Sequence, residues 1–337
     1  MSTPVVVTPR IGIVVVSFNT RSLLRDCLAS IAGAPFPTRV VVVDNASSDG
    51  TTAMVRDDFP SVELVANDTN RGFAAATNQG LAGLTDHSDF ILLLNPDAAL
   101  CPGALEHLVN FMLAHPRVGV CSPRLQYPDG RPQAGAFRFP TLAMAFLDLF
   151  PPRGPLLGRL YDSYLNGRYP EERGVEPFPI DHPLGAAMLI RSETLSEVAP
   201  LDEHFWLYAE EVDWCLRCHR AGWAIWQVPA AHVVHVAGAS SSQFRSSSFV
   251  ALHRARARFV HKWHTPFYRR WYARIIRLGM VASTLTAWRD WWRGRLQPAE
   301  IRDQLSGYAA VFRLVSESFA PDNNSSPART MDVQPPF

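Results

Sequence analysis

The sequence predicts an α/β fold with a mostly parallel central sheet, and three observations support this prediction. Short β-branched runs alternate with segments of helical periodicity over the first hundred residues, which is typical of a parallel sheet covered by helices. Each candidate strand is apolar until it stops at polar residues. The chain has 337 residues, 47% of them hydrophobic and 19% charged, so a sizeable core can form and wholesale disorder is excluded.

The first two strands are predicted at residues 11–18 and 39–43. Between them, residues 22–32 carry leucine, cysteine and isoleucine at helical spacing. A turn rich in Asp, Asn, Ser and Gly follows the second strand, and a helix is predicted from about Thr51.

VELVAND then reads as a third strand, FAAATNQGLAGL as a helix and FILLLNPD, residues 90–97, as a fourth strand that ends in a polar tip. In an open α/β sheet, ligands bind outside the carboxyl ends of the strands. The polar strand tips are therefore the candidate site.

Beyond this half, residues 123–183 are rich in Pro, Gly and Arg and predict a long, partly irregular insertion. Periodicity returns with LGAAMLIR, a helix around residues 210–221, and one or two strands in WAIWQVPAAHVVHVAG.

The predicted domains follow from these shifts in composition. A catalytic domain spans 1–245, with a donor half at about 10–122 and an acceptor half at about 123–245. A basic, aromatic helical region follows at 246–320, and 321–337 form a disordered tail.

Charge and cysteine content restrict the partners and the compartment. The net charge of +1 gives no general attraction to nucleic acid, and none is expected as a partner. Five scattered cysteines argue for a reducing compartment, so a cytoplasmic location is the expectation. No apolar run approaches the length of a spanning helix, and the N-terminus does not resemble a signal peptide.

The first two strand tips offer nucleotide ligands. Ser17, Phe18 and Asn19 end the first strand, where the phenyl ring could stack on a nucleobase or simply belong to the core. Asp44 and Asn45 end the second strand, where a carboxylate could accept hydrogen bonds from a base or ribose. Asp49, further on, is the type of residue that caps a helix.

The remaining candidates are acidic residues and a histidine. Asp97, two residues after Asn95, suits a hard divalent cation, although it could also cap a helix. Aromatic residues surround Glu210, Glu211 and Asp213, so at least one of these carboxylates is expected to have a raised pKa, as a general base requires; a solvated acidic helix start is the alternative.

A histidine follows the last strand. His235 is either a ligand or a structural residue, and His232 competes for any role it has.

Seven segments follow one another between Ile11 and Ser241, namely VVSFNT, VVVDNASSDGT, NRGFAAATNQG, LLLNPD, LGAAMLIR, FWLYAEEVDWCLR and HVAGASS. Together they resemble glycosyltransferase family 2, the inverting nucleotide-sugar transferases of GT-A type, and within it the rhamnosyltransferase-like branch. The resemblance implies a GT-A nucleotide-sugar-binding domain, with a dTDP- or UDP-sugar as donor and a glycan or a lipid-linked molecule as acceptor. Rhamnose is the candidate sugar.

The resemblance also implies site residues. The metal would be Mg²⁺ or Mn²⁺, held by Asp97 and His235, with Asn95 standing where the family's metal motif has its first acid. The general base would be Glu211, with Glu210 as the alternative, and Asp213 would either support the site residues from behind or orient the acceptor. The implied nucleotide-sugar contacts are Ser17, Phe18, Asn19, Asp44, Asn45, Arg71, Asn78, Asn95 and Asp97.

Other functions fit less well. A non-catalytic nucleotide-sugar-binding protein would lack the acidic pair or the metal Asp, and a sugar nucleotidyltransferase would carry a Gly-rich phosphate loop with an early Lys. A dinucleotide-dependent oxidoreductase needs G-x-G-x-x-G after the first strand, where this chain has SFNTRS. Arginines and tryptophans of residues 254–292 predict peripheral membrane contact, with packing against the catalytic domain as the alternative.

Overall fold

The computed structural model describes residues 8–151, 163–237 and 245–319. The chain divides into two compact units. The first consists of Met1–Arg138, Tyr169–Glu203 and Glu210–Ser240, and the second of Phe139–Arg168, His204–Ala209 and Ser241–Phe337. Two segments inside the predicted catalytic domain, 139–168 and 204–209, thus group with the C-terminal helices. The predicted tail, 321–337, lies outside the described residues.

A four-stranded parallel layer forms one side of the sheet in the first unit. Its strands are β1 (Ile11–Ser17), β2 (Thr38–Asp44), β3 (Glu63–Ala66) and β4 (Phe90–Leu94), in the order β3-β2-β1-β4. All residues of β1 and β4 are buried, which explains why both read as continuous apolar runs. Ser17 pairs with Asp44, so the polar tips of β1 and β2 lie side by side.

Antiparallel pairing enters on the other side of β4. The longer strands there are β5 (Ala98–Leu100), β6 (Val118–Gln126), β11 (Ala187–Arg191) and β12 (Ala224–His235), and the order continues β4-β11-β6-β12-β5. β11 runs antiparallel to both β4 and β6, and β12 runs parallel to β6. The predicted α/β class is confirmed, and the sheet is mixed.

The predicted irregular insertion contains more order than its composition suggests. β6 extends into it as far as Gln126. Four two-residue strands follow, namely β7 (Pro132–Gln133), β8 (Ala136–Phe137), β9 (Phe178–Pro179) and β10 (His182–Pro183). Such short strands leave no periodic signal in a sequence.

Helices cover the sheet of the first unit. They are α1 (Arg21–Ile31), α2 (Thr51–Asp58), α3 (Phe73–Ala82), α4 (Ala104–Ala114), α6 (Ser192–Val198) and α7 (Glu210–Arg220). α3 packs closely on β1 at Gly80, where an added Cβ would lie 2.5 Å from Val14 Cγ1. The N-cap of α2 is Gly50, not the predicted Asp49, which lies one residue earlier and whose Oδ1 accepts hydrogen bonds from the amide and hydroxyl of Thr51.

The second unit is helical. It comprises α5 (Leu142–Leu149), α8 (Arg245–Trp263), α9 (Pro266–Trp292) and α10 (Pro298–Ser318). Their core contains Val260, Tyr272, Ile276, Val311 and Val315. None of the helices described here is long and apolar enough to cross a bilayer.

Candidate functional site

Asp44 presents an unused acceptor at the tip of β2. Its side chain is 1% exposed, and Oδ2 accepts a hydrogen bond of 3.0 Å from the amide of Ser47. Oδ1 is buried and has no hydrogen-bond partner among the described residues. A buried, unpaired carboxylate oxygen is costly in free energy, so this atom is suited to accept a hydrogen bond from a ligand.

The loops after β1 and β2 hold each other in place. The amide of Asn19 donates to Ser47 Oγ (2.9 Å), and the amide of Ser48 donates to Asn19 Oδ1 (2.8 Å). Asn19 and Ala46 have positive φ angles of 52° and 70°, a conformation that side chains other than glycine seldom adopt. The side chain of Asn19 therefore shapes the crevice by fixing the loop after β2.

Phe18 and Ser17 occupy different environments. Phe18 is half-buried, so part of its ring remains available for stacking. Ser17 is fully buried, and its hydroxyl shares a 2.9 Å hydrogen bond with Thr20 Oγ1. Ser17 was predicted to contact the nucleotide, but the structure gives its side chain a role in closing the end of β1.

Asn45 has a structural role, and its predicted contact with the nucleotide stays a prediction. Its Oδ1 accepts hydrogen bonds from the amide of Arg71 (3.0 Å) and from Asn67 Nδ2 (3.2 Å). Its Nδ2 donates to Asn70 Oδ1 (2.9 Å) and to the carbonyl of Gly72 (3.1 Å). These bonds use both polar atoms of the buried amide and fix the loop that carries the exposed Arg71.

Asn78 differs from its prediction for a similar reason. Its Nδ2 donates to the carbonyl of Leu201 (2.9 Å) and to Glu203 Oε1 (3.0 Å), and its Oδ1 accepts from the amide of Leu201 (3.0 Å). The side chain thus anchors residues 201–203 to α3. Its sequence motif did not distinguish this role from a ligand contact.

The tip of β4 joins the end of β12 through Asp97. The amide of Val236 donates to the carbonyl of Asp97 (3.0 Å), and Asp97 Oδ1 lies 3.3 Å from His235 Nε2. Both side chains are nearly buried, with exposed fractions of 9% and 7%. The structure therefore brings together the two predicted metal ligands, and it is His235, not His232, that faces Asp97.

Gln133 was not predicted as a site residue. Its Oε1 lies 2.9 Å from His235 Nδ1. Because a carbonyl oxygen only accepts, Nδ1 is the donor in this contact, and Nε2 is the ring nitrogen that faces Asp97. No signal in the proline- and glycine-rich segment around Gln133 could have revealed this contact.

The Asp97–His235 pair fits a divalent cation. A ring nitrogen and a carboxylate oxygen 3.3 Å apart can share a proton or ligate one metal ion. Imidazole nitrogen and carboxylate oxygen both ligate divalent cations at about 2.1 Å, and two atoms 3.3 Å apart can reach one ion at that distance. The described residues contain no group of three or more His, Cys, Asp or Glu side chains that could hold a metal.

Two buried carboxylates begin α7. Glu210 is 6% exposed, whereas Glu211 is half-buried, and each has a buried Oε2 without a hydrogen-bond partner. Burial raises the pKa of Glu210 well above its ordinary value, and the adjacent charge of Glu211 adds to the shift. Burial raises the pKa of Glu211 to about 7. The acidic start of α7 is therefore not the solvated surface that was the alternative.

The surroundings of Glu211 connect it to the tip of β4. Its Cγ lies 3.6 Å from where a Cβ on Gly185 would be, just before β11. The next residue, Ala186, accepts a 2.8 Å hydrogen bond from the amide of Asn95. Glu211 and the polar tip of β4 thus lie at the same end of two neighbouring strands.

The backbone before α7 is unusual. Tyr208 and Ala209 both have positive φ angles, of 72° and 62°. Two consecutive non-glycine residues in this region carry a conformational cost, and such costs are commonly found at functional sites.

Asp213 is paired inside the first unit. It is fully buried, and its Oδ2 forms a 3.1 Å ion pair with Arg217 Nε, one turn further along α7. Arg217 in turn donates to the carbonyls of Val198 and Pro200. Asp213 and Arg217 thus fix α7 to the end of α6, in line with a supporting role for Asp213, and orientation of the acceptor stays a prediction.

Comparison with known proteins identifies the family of this chain. Residues 12–197 match the sequence model of Glycosyl transferase family 2. The N-acetylglucosaminyl-diphospho-decaprenol L-rhamnosyltransferase of Mycobacterium tuberculosis is 29% identical over 276 residues, which cover 78% of this chain and 87% of that protein. The rhamnosyltransferase WbbL of Escherichia coli is 22% identical over 70% of this chain and 87% of its own length.

Solved structures show the same fold. A mannosyltransferase of Pyrobaculum calidifontis, in complex with GDP-Man and Mn²⁺, superposes with a TM-score of 0.54 at 17% identity, over 95% of this chain and 89% of that one. GalNAc-T7 with UDP, GalNAc and Mn²⁺ superposes with a TM-score of 0.50 at 15% identity, over 68% of this chain and 43% of that one. The predicted GT-A-type fold is confirmed, and the chain is a glycosyltransferase that belongs to Glycosyl transferase family 2.

Proposed function

We propose that this glycosyltransferase inverts the anomeric centre of a nucleoside-diphosphate sugar in a single displacement, with Glu211 as general base. The observation that carries the proposal is the placement of three groups at the end of the sheet where β2, β4 and β12 have their carboxyl ends. The Asp97–His235 pair lies where β4 and β12 end, and the unpaired oxygen of Asp44 lies at the end of β2. Glu211 lies over the start of β11, beside β4, which ends at Leu94.

The nucleotide would lie across the tips of β1 and β2. Asp44 Oδ1 accepts a hydrogen bond from the base, and the exposed part of the Phe18 ring stacks on it. Arg71, exposed on a loop that Asn45 fixes, contributes a positive charge to the nucleotide. Uracil and thymine both carry an N3–H donor, so UDP- and dTDP-sugars fit this acceptor.

Asp97 and His235 would hold Mg²⁺ or Mn²⁺, and the donor's phosphate oxygens would supply further ligands because these two side chains alone do not fill a coordination sphere. When bound, the cation offsets the negative charge that develops on the departing nucleoside diphosphate. Gln133 keeps the Nε2 lone pair of His235 directed at this position.

Glu211 acts on the acceptor. A raised pKa makes its carboxylate a stronger proton acceptor, and its partial exposure gives an incoming hydroxyl access that the more deeply buried Glu210 lacks. The hydroxyl proton moves to Glu211, and the oxygen bonds to the anomeric carbon. The bond from that carbon to the diphosphate breaks on the opposite face.

The two bacterial relatives suggest the substrates. Both are named rhamnosyltransferases, and the mycobacterial protein is named for a decaprenol-linked diphosphate acceptor. We therefore propose a rhamnosyl donor and a lipid-linked acceptor. Such an acceptor places the enzyme at a membrane surface, in peripheral contact on the cytoplasmic face.

A panel of nucleotide sugars tests this proposal. With Mn²⁺ and dTDP-rhamnose, UDP-sugars or GDP-mannose, release of nucleoside diphosphate is measured with and without a prenyl-diphosphate-linked sugar. Glu211→Gln should bind donor normally and lose about 10² to 10⁴ in transfer rate. Glu193→Gln, an exposed glutamate in the first turn of α6, is the matched control and should retain full activity.

Two outcomes would change the assignment. If Glu210→Gln is inactive while Glu211→Gln still transfers, the base is Glu210. If both variants transfer at the wild-type rate, neither carboxylate is the base and the proposed mechanism is wrong.

A further inference from the structure

Helix α9 carries apolar side chains on two opposite faces. One face packs into the core of the second unit through Tyr272, Ile276 and Met280. The other face is exposed to solvent, although its large side chains are apolar. An amphipathic helix normally has one apolar face, so the second one requires an explanation.

The second face forms a continuous row, which we call the apolar stripe. It consists of Trp271, Leu278, Val281, Leu285, Trp288 and Trp292, with exposed fractions between 43% and 86%. Their spacings of seven, three, four, three and four residues place them on one side of a helix with 3.6 residues per turn. The stripe extends over about 30 Å at 1.5 Å per residue.

Arginines accompany the stripe. α9 contains five arginines and a single acidic residue, Asp290, which already pairs with Arg289 and Arg295. Arg274 lies within the row, with its guanidinium 4.9 Å from the centre of the Trp271 ring.

More arginines line a cleft near the start of α9. Arg269, Arg270, Arg274 and Arg277 face this cleft of about 720 Å³, together with Ser316 and Ser318 of α10. The hydroxyls of Ser316 and Ser318 already donate to the carbonyls of Phe312 and Leu314, so the guanidinium groups are the donors suited to bind phosphate oxygens. The apolar row and a site suited to phosphate therefore lie on the same helix.

We infer that the apolar stripe of α9 docks the protein on an anionic lipid bilayer, with the helix lying in the plane of the interface. Leucine and valine enter the boundary of the acyl chains, and tryptophans take the interfacial position that their amphipathic rings favour. The arginines contact lipid phosphates. This arrangement accounts for both the apolar and the basic character of one face.

A second copy of the chain is a poorer occupant of the stripe. Two stripes packed together would bring two arginine-rich faces into contact. Asp290 is the only acid of α9 that could offset them, and it already has arginine partners in its own chain. Charge complementarity therefore favours a negatively charged surface over self-association.

This inference deepens the peripheral membrane contact proposed above and names the surface that makes it. It depends on no residue of the catalytic site. Vesicle binding can therefore fail while glycosyl transfer persists, and transfer can fail while vesicle binding persists.

Flotation of the full chain with lipid vesicles tests the inference. The protein should float with vesicles of phosphatidylglycerol and phosphatidylcholine at low salt, and less with phosphatidylcholine alone or at high salt. Leu278→Ser with Leu285→Ser should lower the partition coefficient about tenfold or more. Arg270→Gln with Arg274→Gln should remove most of the salt dependence.

Matched controls separate the surface from general effects. Leu113→Ser with Leu165→Ser replaces two other leucines that are 53% and 58% exposed, and should not alter flotation. Arg56→Gln with Arg117→Gln removes the same charge from exposed positions of the first unit. Circular dichroism and the unfolding midpoint establish that each variant is folded.

Lipids with brominated acyl chains provide a readout of insertion. They should quench tryptophan fluorescence in the wild type and do so less in Trp288→Phe with Trp292→Phe. Failure of the wild type to float at low salt would overturn the inference, as would equal flotation of the stripe and control variants. If the wild type is a dimer and Leu278→Ser with Leu285→Ser dissociates it, the stripe binds a second copy of the chain instead.

Discussion

His235 Nε2 and Asp97 Oδ1 lie 3.3 Å apart at the meeting point of β12 and β5, with both side chains more than nine-tenths buried. The antiparallel pairing that sets His235 opposite Ala98 creates this contact between residues far apart in sequence. Gln133 completes the arrangement, since its Oε1 accepts a hydrogen bond from Nδ1 of His235. In the proposed cation site, Gln133 acts only through His235.

Gln133 is expected to be a positioning residue for the metal. Gln133→Leu removes the acceptor that orients His235, so Mn²⁺ affinity should fall about 10- to 100-fold. Gln133→Glu retains an acceptor oxygen and should retain most of the affinity. Free Mn²⁺ measured by electron paramagnetic resonance gives the binding constant without any need for turnover. Equal affinity of Gln133→Leu and wild type would contradict this role.

Asp44 should discriminate among nucleobases. Its unpaired Oδ1 accepts a hydrogen bond, and uracil and thymine offer an N3–H at the edge where adenine has only acceptors in its ring. Asp44→Asn can still accept the hydrogen bond from the amide of Ser47, but it places an amino group where Oδ1 is in the wild type. The affinity for UDP and dTDP should therefore fall about tenfold or more.

Titration calorimetry measures this effect. Exposed Asp68, changed to Asn, removes the same charge from a nearby loop and serves as the control. If the Asp44→Asn variant binds UDP, dTDP and ADP as the wild type does, Asp44 does not contact the base.

Much of the parallel half of the fold could be predicted because burial on both faces of β1 and β4 demands unbroken apolar runs. The same logic predicts Asp44 and Asp97 as site residues, since a polar residue that ends such a run lies at the carboxyl end of a strand, where ligands bind in open α/β sheets. Asn45 shows the limit of this logic. A polar residue at a strand tip can bind a ligand or complete a buried hydrogen-bond network, and only the three-dimensional partners decide which.

Other features depend on contacts between distant parts of the chain. Gln133 belongs to a two-residue strand, too short for any periodic pattern. The grouping of α5 with the C-terminal helices rests on close packing, because an added Cβ on Gly279 of α9 would lie 2.4 Å from Leu149 Cδ1. Local composition does not encode such an approach.

Asn45 should matter for stability and Arg71 for binding. Asn45→Ala leaves the amide of Arg71 without its hydrogen-bond partner and removes one of the two partners of Asn67 Nδ2, Asn70 Oδ1 and the Gly72 carbonyl, at a cost of about 1 to 3 kcal/mol in free energy of unfolding. Arg71→Ala, at an exposed position, should leave the unfolding curve unchanged and weaken donor binding. Urea unfolding and calorimetry with UDP or dTDP separate the two effects; unchanged stability of Asn45→Ala would contradict the structural role.

The buried acidic pair should make stability depend on pH in a direction opposite to that of ordinary ion-paired carboxylates. Burial raises the pKa of Glu210 and Glu211 in the folded state, so the folded protein binds more protons than the unfolded chain between the ordinary pKa of 4.5 and the raised value of about 7 for Glu211. The stability that these protons contribute is fully present below 4.5 and is lost as the pH rises through the raised values.

Replacing either glutamate by glutamine should therefore stabilise the protein in alkaline conditions. Glutamine mimics the protonated acid, so each variant should exceed the wild type in free energy of unfolding by about 1 to 3 kcal/mol near pH 8, with little difference near pH 4. Urea unfolding across this range, with Glu193→Gln as the control, measures the effect. Parallel curves for wild type and variants would show that the carboxylates ionise at ordinary pKa values.

The transfer rate should have the opposite dependence on pH. It should rise to a plateau above about pH 7, because the proposed base Glu211 must be deprotonated to accept the hydroxyl proton.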